Sequence, residues 1–336
     1  MLKVSGHAAT MADVAIRVED LVKRFGPVVA LDGVSFDVPF ASVFGLLGPN
    51  GAGKTTAVRV LTTIIAPDSG RAEVIGHDVV HDADAVRLSI GLAGQSAAVD
   101  ENLTGRENLR LIGRLSQMPS RRIAPRADEL LERFDLVDAA DRPVRTYSGG
   151  MRRRLDVAAS LVHRPPVLFL DEPTTGLDLK SRGELWNMIR ELVSTGTTVL
   201  LTTQYLEEAD RLANRIAVID RGKVIAEGTP GELKTRLGAT VIEFGYGDAR
   251  EQAGRASELL TQRLPGQPET DGSTVRITSD DGSRVVVDAL RSLDSEGLAP
   301  VTIAVREPSL DDVFLALTGH RAEPTNESDP AQRGGS

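Results

Sequence analysis

An α/β fold, with a mainly parallel sheet covered by helices on both faces, is what this 336-residue sequence predicts. Three observations predict it. Short apolar runs at Ile90–Ala93, Val167–Leu170, Val199–Leu201 and Ile216–Ile219 are bounded by polar residues and separated by stretches of helical spacing. The apolar run Val43–Leu47 leads through a glycine-rich turn into an apolar helix over Lys54–Leu61. After Gly238 a second strand–helix alternation begins, which predicts a separate, smaller α/β domain.

The elements follow in order. Residues 1–12 read as an N-terminal extension, and 13–237 as the main domain. From Val14 to Phe36 apolar and polar residues alternate, with turn signals at Gly26-Pro27 and Asp32-Gly33, which predicts paired antiparallel strands. Strand signals then fade over about 98–160, where Leu103, Leu109, Ile112, Leu115, Leu130, Leu131 and Phe134 recur at helical spacing and predict a helical insertion. The small domain, 238–320, predicts strands at Thr240–Phe244, Thr274–Thr278 and Val301–Val305 and helices at Arg250–Leu264, Arg284–Leu293 and Leu310–Leu317. Residues 321–336 carry almost nothing apolar and predict a disordered tail.

Composition narrows the function. With no cysteine, disulfides, thiolate metal sites and a catalytic thiol are excluded. A net charge of −9 argues against a general nucleic-acid binder, and the run Arg152–Arg154 reads as a solvated face. Neither a signal-peptide layout nor 18 consecutive apolar residues occurs, so the chain is not expected to cross a membrane by itself.

The chemistry concentrates in two places. Gly48-Pro49-Asn50-Gly51-Ala52-Gly53-Lys54-Thr55-Thr56 satisfies G-x-x-x-x-G-K-[ST] between a predicted strand and a predicted helix. Gly51 and Gly53 let backbone N–H groups turn onto phosphate, the helix N-terminus adds partial positive charge, Lys54 supplies a mobile cation and the Thr55 hydroxyl a ligand for Mg²⁺. A chance match is expected in roughly one chain of this length in a hundred. The second place is Asp171-Glu172, two acids at the end of the apolar run Val167–Leu170. Carboxylates at a buried sheet edge need a partner. Asp171 is assigned to Mg²⁺ through its water shell, and Glu172 to orienting and deprotonating the attacking water. An acidic turn after a strand is the plainer alternative.

Tyr147-Ser148-Gly149-Gly150-Met151, ahead of an arginine-rich helix and shortly before the acidic strand, resembles the signature of ABC-type ATPases. A serine N-cap followed by two glycines offers a hydroxyl and backbone donors to an anion. The resemblance covers about Val14 to Leu237 and implies a P-loop ABC nucleotide-binding domain that uses ATP and Mg²⁺. It further implies a head-to-tail homodimer, in which Ser148, Gly149 and Gly150 of one subunit complete the ATP site of the other. Gln95 takes the position of the Q-loop, touching Mg²⁺ and the membrane partner, and Asp178 in Gly176-Leu177-Asp178 that of the D-loop at the dimer interface. Phe25 stands where the family stacks an aromatic on adenine, although a hydrophobic strand residue is a competing reading.

Two positions depart from the common family pattern. Gln204 occupies the switch position usually held by histidine, and Met151 replaces a glutamine. A glutamine amide donates a hydrogen bond to a γ-phosphate oxygen but cannot be protonated, so turnover is what this departure puts in question. Gln204, the signature and Pro308-Ser309-Leu310-Asp311-Asp312-Val313-Phe314 together resemble exporter ATPases of the daunorubicin-resistance type. That implies a multi-span membrane permease as partner, lipophilic drugs or lipids as cargo, and a peripheral position at the cytoplasmic membrane face. An importer ATPase is the alternative. ABC proteins acting on ribosomes or DNA are disfavoured by the single cassette and the absence of sustained heptads, and a clamp without useful turnover by the intact Glu172.

Overall fold

The computed structural model describes residues 14–94, 99–236, 240–264, 268–279 and 282–318, so the expected N-terminal extension, Gln95 and the tail lie outside the described residues. The chain divides into two compact units between Glu227 and Gly228. That is ahead of the expected break at 237/238, because the short helix Pro230–Thr235 packs on the C-terminal helix Leu310–Thr318 within the second unit.

The first unit opens with β1 (Val14–Phe25) and β2 (Val28–Pro39), an antiparallel pair joined at Gly26-Pro27. The expected turn at Asp32-Gly33 is instead interior to β2. Its register with β1 slips there, Val22 facing Asp32 and Leu21 facing Val34, and Gly33 takes the left-handed φ of 74° that such an extra residue favours. Next come β3 (Val43–Leu47), α1 (Lys54–Leu61), β4 (Ser69–Val74), β5 (His77–Asp78), α2 (Ala83–Ser89) and β6 (Ile90–Ala93). The sequence pattern assigns no strands to β4 and β5, which complete the antiparallel sheet in the order β2-β1-β4-β5.

The helical stretch follows as α3 (Gly105–Leu115), α4 (Ser120–Arg133) and α5 (Gly149–Ser160). Helix α3 starts at a capping box in which the Thr104 hydroxyl accepts from Glu107 N and Glu107 accepts from Thr104 N. The unit closes with β7 (Val167–Asp171), α6 (Leu179–Ser194), β8 (Thr198–Thr203), α7 (Leu206–Leu212), β9 (Arg215–Asp220) and β10 (Lys223–Gly228).

The central sheet runs β10-β9-β3-β8-β7-β6, with parallel pairing from β9 through β6. It is apolar on both faces because it has a core on each. Along β7 the residues alternate strictly: Leu168 and Leu170 pack with the helical stretch, Val167 and Phe169 with the antiparallel sheet and α1.

In the second unit, α8 (Pro230–Thr235) precedes β11 (Thr240–Gly245), α9 (Arg250–Arg263), β12 (Glu269–Asp271), β13 (Thr274–Ser279), α10 (Gly282–Ser295), β14 (Thr302–Arg306) and α11 (Leu310–Thr318). The order β12-β13-β11-β14, antiparallel throughout, is a split β-α-β arrangement. Ile242, Phe244, Val275 and Ile277 share a core with residues of α9 and α10. Register puts Glu243 and Arg276 on the opposite face, where Arg306 and Asp312 join them in one ion cluster. Burial alone would push the Asp312 carboxyl up, but hydrogen bonds from Arg306 and Ser309 outweigh it and hold it at about 2. The motif at 308–314 thus plays a structural part, in which Ser309 and Asp312 bond reciprocally across the first turn of α11 while Arg306 pins that turn to the sheet.

Candidate active site

Parallel strands deliver their following loops to one edge of a sheet, and that edge carries the chemistry here. The phosphate-loop motif follows β3, Asp171 ends β7 with Glu172 next, Gln204 follows β8, and Gly94 follows β6. In the loop Gly51 has φ 80° and Gly53 φ 112°. Gly53 is obligatory for a second reason: a Cβ there would lie 2.4 Å from Ala30 O.

Lys54 is 4% exposed and its ammonium donates to Gly48 O at 2.7 Å and Pro49 O at 3.1 Å, with the Glu172 carboxylate 3.6 Å away. The cation and the acid found separately in sequence therefore form one group. Thr55 Oγ1 donates to Asp171 Oδ1 at 3.3 Å, so two hard oxygen donors stand side by side. Among the described residues there is no cluster of three or more His, Cys, Asp or Glu side chains able to hold a metal. This donor set fits Mg²⁺, which takes one or two protein oxygens and completes its shell with water and substrate phosphate.

Thr202, on β8, is not among the residues that sequence patterning singles out. Its hydroxyl donates to Asp171 Oδ1 at 2.5 Å and accepts from Glu172 N at 3.1 Å. The only available signal is a polar residue in an apolar strand just before the switch position. Glu172 itself has φ 49°, a left-handed conformation that costs about 1–3 kcal/mol in a non-glycine residue and persists only where neighbours hold it. Thr175 Oγ1 reaches its Oε2 at 3.4 Å.

The remaining predicted residues lie around this centre. Asn50 is exposed and Thr56 half-buried, both on the loop-to-helix passage, and Gln204 is half-buried immediately after β8. Ser148 is exposed at the N-cap of α5, its Oγ accepting from Met151 N at 3.2 Å, with Gly149 and Gly150 as the first helical residues. Asp178 caps α6 by accepting from Ser181 N at 2.7 Å, and that bond holds its carboxyl below the usual range. Phe25 is 44% exposed at the end of β1, with Lys23 Nζ 5.6 Å from its ring centre. Lys54 thus bonds to the loop and Thr55 to Asp171, whereas Ser148 and Asp178 each accept a bond within their own helix start.

The family profile described as ABC transporter matches residues 31–175, spanning the phosphate loop, signature and acidic strand. The daunorubicin resistance ATP-binding protein DrrA2 of Streptomyces coeruleorubidus is 54% identical over 319 residues, covering 94% of this chain and 99% of that protein. This chain belongs to the ABC transporter ATP-binding subunits of the daunorubicin-resistance type. A Nod factor export ATP-binding protein I of Ralstonia nicotianae is 41% identical over 305 residues, covering 90% of this chain and 94% of that one. Among solved structures, cbiO1 of Clostridium perfringens, part of the ABC transporter complex cbiONQ, superposes with a TM-score of 0.61 at 27% identity, over 66% of this chain and 90% of that one. The chain is therefore the ATP-binding, ATP-hydrolysing subunit of an exporter, and the importer alternative is not favoured.

Proposed function

We propose that this ATPase subunit works as a homodimer with two shared ATP sites, bound at the cytoplasmic membrane face to a separate multi-span permease, and energises efflux of lipophilic drugs or lipids. The contact of Lys54, Glu172, Asp171 and Thr55 at one sheet edge carries the reading. Backbone N–H groups of the loop and Lys54 bind the phosphates. Thr55 and Asp171, the latter through water, and Gln95 would hold Mg²⁺, which supplies charge neutralisation on the β- and γ-phosphates. Glu172 orients and deprotonates the attacking water, and Gln204 donates its amide to the γ-phosphate. Phe25 offers an accessible ring for adenine stacking.

Dimerisation is supported by what the signature leaves open. Ser148 and Gly149 are exposed at a helix start, so the serine hydroxyl and the helix N-terminus are accessible to a phosphate held by a facing subunit. Among the described residues no helix is long and apolar enough to cross a membrane, which fits a division of labour with a separate permease. The efflux cargo is inferred from the drug resistance and Nod factor export named for the relatives.

Glu172→Gln tests this assignment. With the base removed and the phosphate loop intact, MgATP turnover of the permease-bound protein should fall by roughly 100-fold or more, the contribution typical of general-base catalysis. Dimer should accumulate with MgATP in sedimentation. Unchanged turnover would sink the assignment of Glu172, and a variant that stays monomeric with saturating MgATP would sink the shared-site dimer.

A further inference from the structure

The arginine run Arg152–Arg154 does not form the solvated face expected from sequence: Arg153 is 12% exposed and Arg154 15%. Arg153 projects from the first turn and a half of α5 and spends its guanidinium on three backbone carbonyls. Nε donates to Pro173 O at 2.8 Å, Nη1 to Gly94 O at 2.6 Å, and Nη2 to Asp171 O at 3.3 Å. Nη1 also meets the Asp156 carboxylate at 3.1 Å, itself 1% exposed. Burying this charge is costly, and the fork of bonds offsets that cost.

The identity of the carbonyls matters more than their number. Asp171 O and Pro173 O lie on either side of Glu172, whose left-handed backbone needs external support. Thr202 bonds the Glu172 N–H; Arg153 bonds the carbonyls that flank it. Gly94 directly follows β6, and Ser148 is the N-cap of α5. We propose that Arg153 is a positioning residue for hydrolysis: it fixes the backbone on both sides of Glu172 and joins that turn to the signature helix and the end of β6. A displacement of the signature helix is then transmitted directly to the water-activating carboxylate. The inference rests on the role proposed above for Glu172.

The test is kinetic, on the full chain bound to its permease, with Arg153→Lys and the pair Arg153→Met with Asp156→Leu. Arg153→Met alone removes one member of a buried ion pair and leaves the Asp156 charge behind, whereas the paired variant removes both charges together. A misplacement of about 1 Å costs up to roughly 100-fold in rate, so kcat of the paired variant should fall by roughly 10–100-fold. KM for ATP and nucleotide affinity should stay within about twofold, because the fork reaches no atom of the phosphate loop. Lysine keeps a charge near Asp156 but lacks the fork to serve three carbonyls, so Arg153→Lys should melt at a lower temperature, stay folded at the assay temperature with nucleotide affinity unchanged, and still be slow. A folded paired variant with unchanged kcat overturns the proposal, as does a loss of nucleotide affinity equal to the loss of kcat. If Glu172→Gln is inactive while the Arg153 variants are not, only this inference fails; if Glu172→Gln turns over normally, the reading beneath it fails as well.

Discussion

Thr202→Val removes a single hydroxyl while conserving shape, and the structure says what that hydroxyl does. It donates to Asp171 at 2.5 Å and accepts from Glu172 N at 3.1 Å; the Glu172 N–H keeps a second acceptor, Thr202 O, also at 3.1 Å. The cost therefore falls mainly on Asp171, a carboxylate only 4% exposed that loses a donor. A hydrogen bond to a charged group is worth about 1.5–3 kcal/mol. For a unit of this size each kcal/mol shifts the melting temperature by roughly 2–4 °C, which gives a loss of roughly 3–12 °C. Thr55 still donates to Asp171, and bound Mg²⁺ would neutralise part of the carboxylate charge, so the loss should shrink when the melt is repeated with MgATP. Calorimetry with and without MgATP, together with steady-state ATPase rates, makes the check; kcat should fall roughly tenfold or more, as expected when a transition-state carboxylate is misplaced. A shift under about 1 °C with unaltered kcat would refute the argument that Thr202 positions the acidic pair.

Gln204→His places a titratable ring at the switch, so its pH–rate profile should gain an inflection near about 6.5, which the glutamine protein lacks; identical profiles would show that the position does not face the reaction. Asp312→Asn breaks a buried ion cluster and should destabilise the second unit by about 3–5 kcal/mol, visible as an earlier transition of that unit by hydrogen exchange or calorimetry. In the unsubstituted protein the depressed Asp312 carboxyl, at about 2 against an ordinary 3.8, contributes about 2 kcal/mol that is fully present above pH 3.8 and is lost as pH falls through about 2. Acid titration of the second unit should show that loss in the native protein and not in Asp312→Asn.

Much of the fold was legible in local pattern. Strands Val43–Leu47 and Ile90–Ala93 are as the sequence predicts, and Thr240–Gly245, Thr274–Ser279 and Thr302–Arg306 differ by a residue at their ends. Buried runs and helical periodicity are local consequences of which face meets a core, so they survive in one dimension. Asp32-Gly33 misled because a glycine that serves a bulge carries the same signal as one that serves a turn. β12, three exposed residues from Glu269 to Asp271, has no apolar face to announce it.

By itself the sequence determined the chemical inventory: a phosphate loop between strand and helix, two acids closing a buried strand, and a capped glycine-rich helix start, all carried by residues adjacent in the chain. The tertiary structure decided which groups support them. Thr202 meets Asp171 across 31 positions and Arg153 meets Gly94 across 59, and no local pattern encodes such pairs. An arginine on a solvated face and one buried among carbonyls read alike in sequence. Only the packing of α5 against the ends of β6 and β7 removes water from Arg153, and that desolvation turns a surface charge into a bond on either side of Glu172.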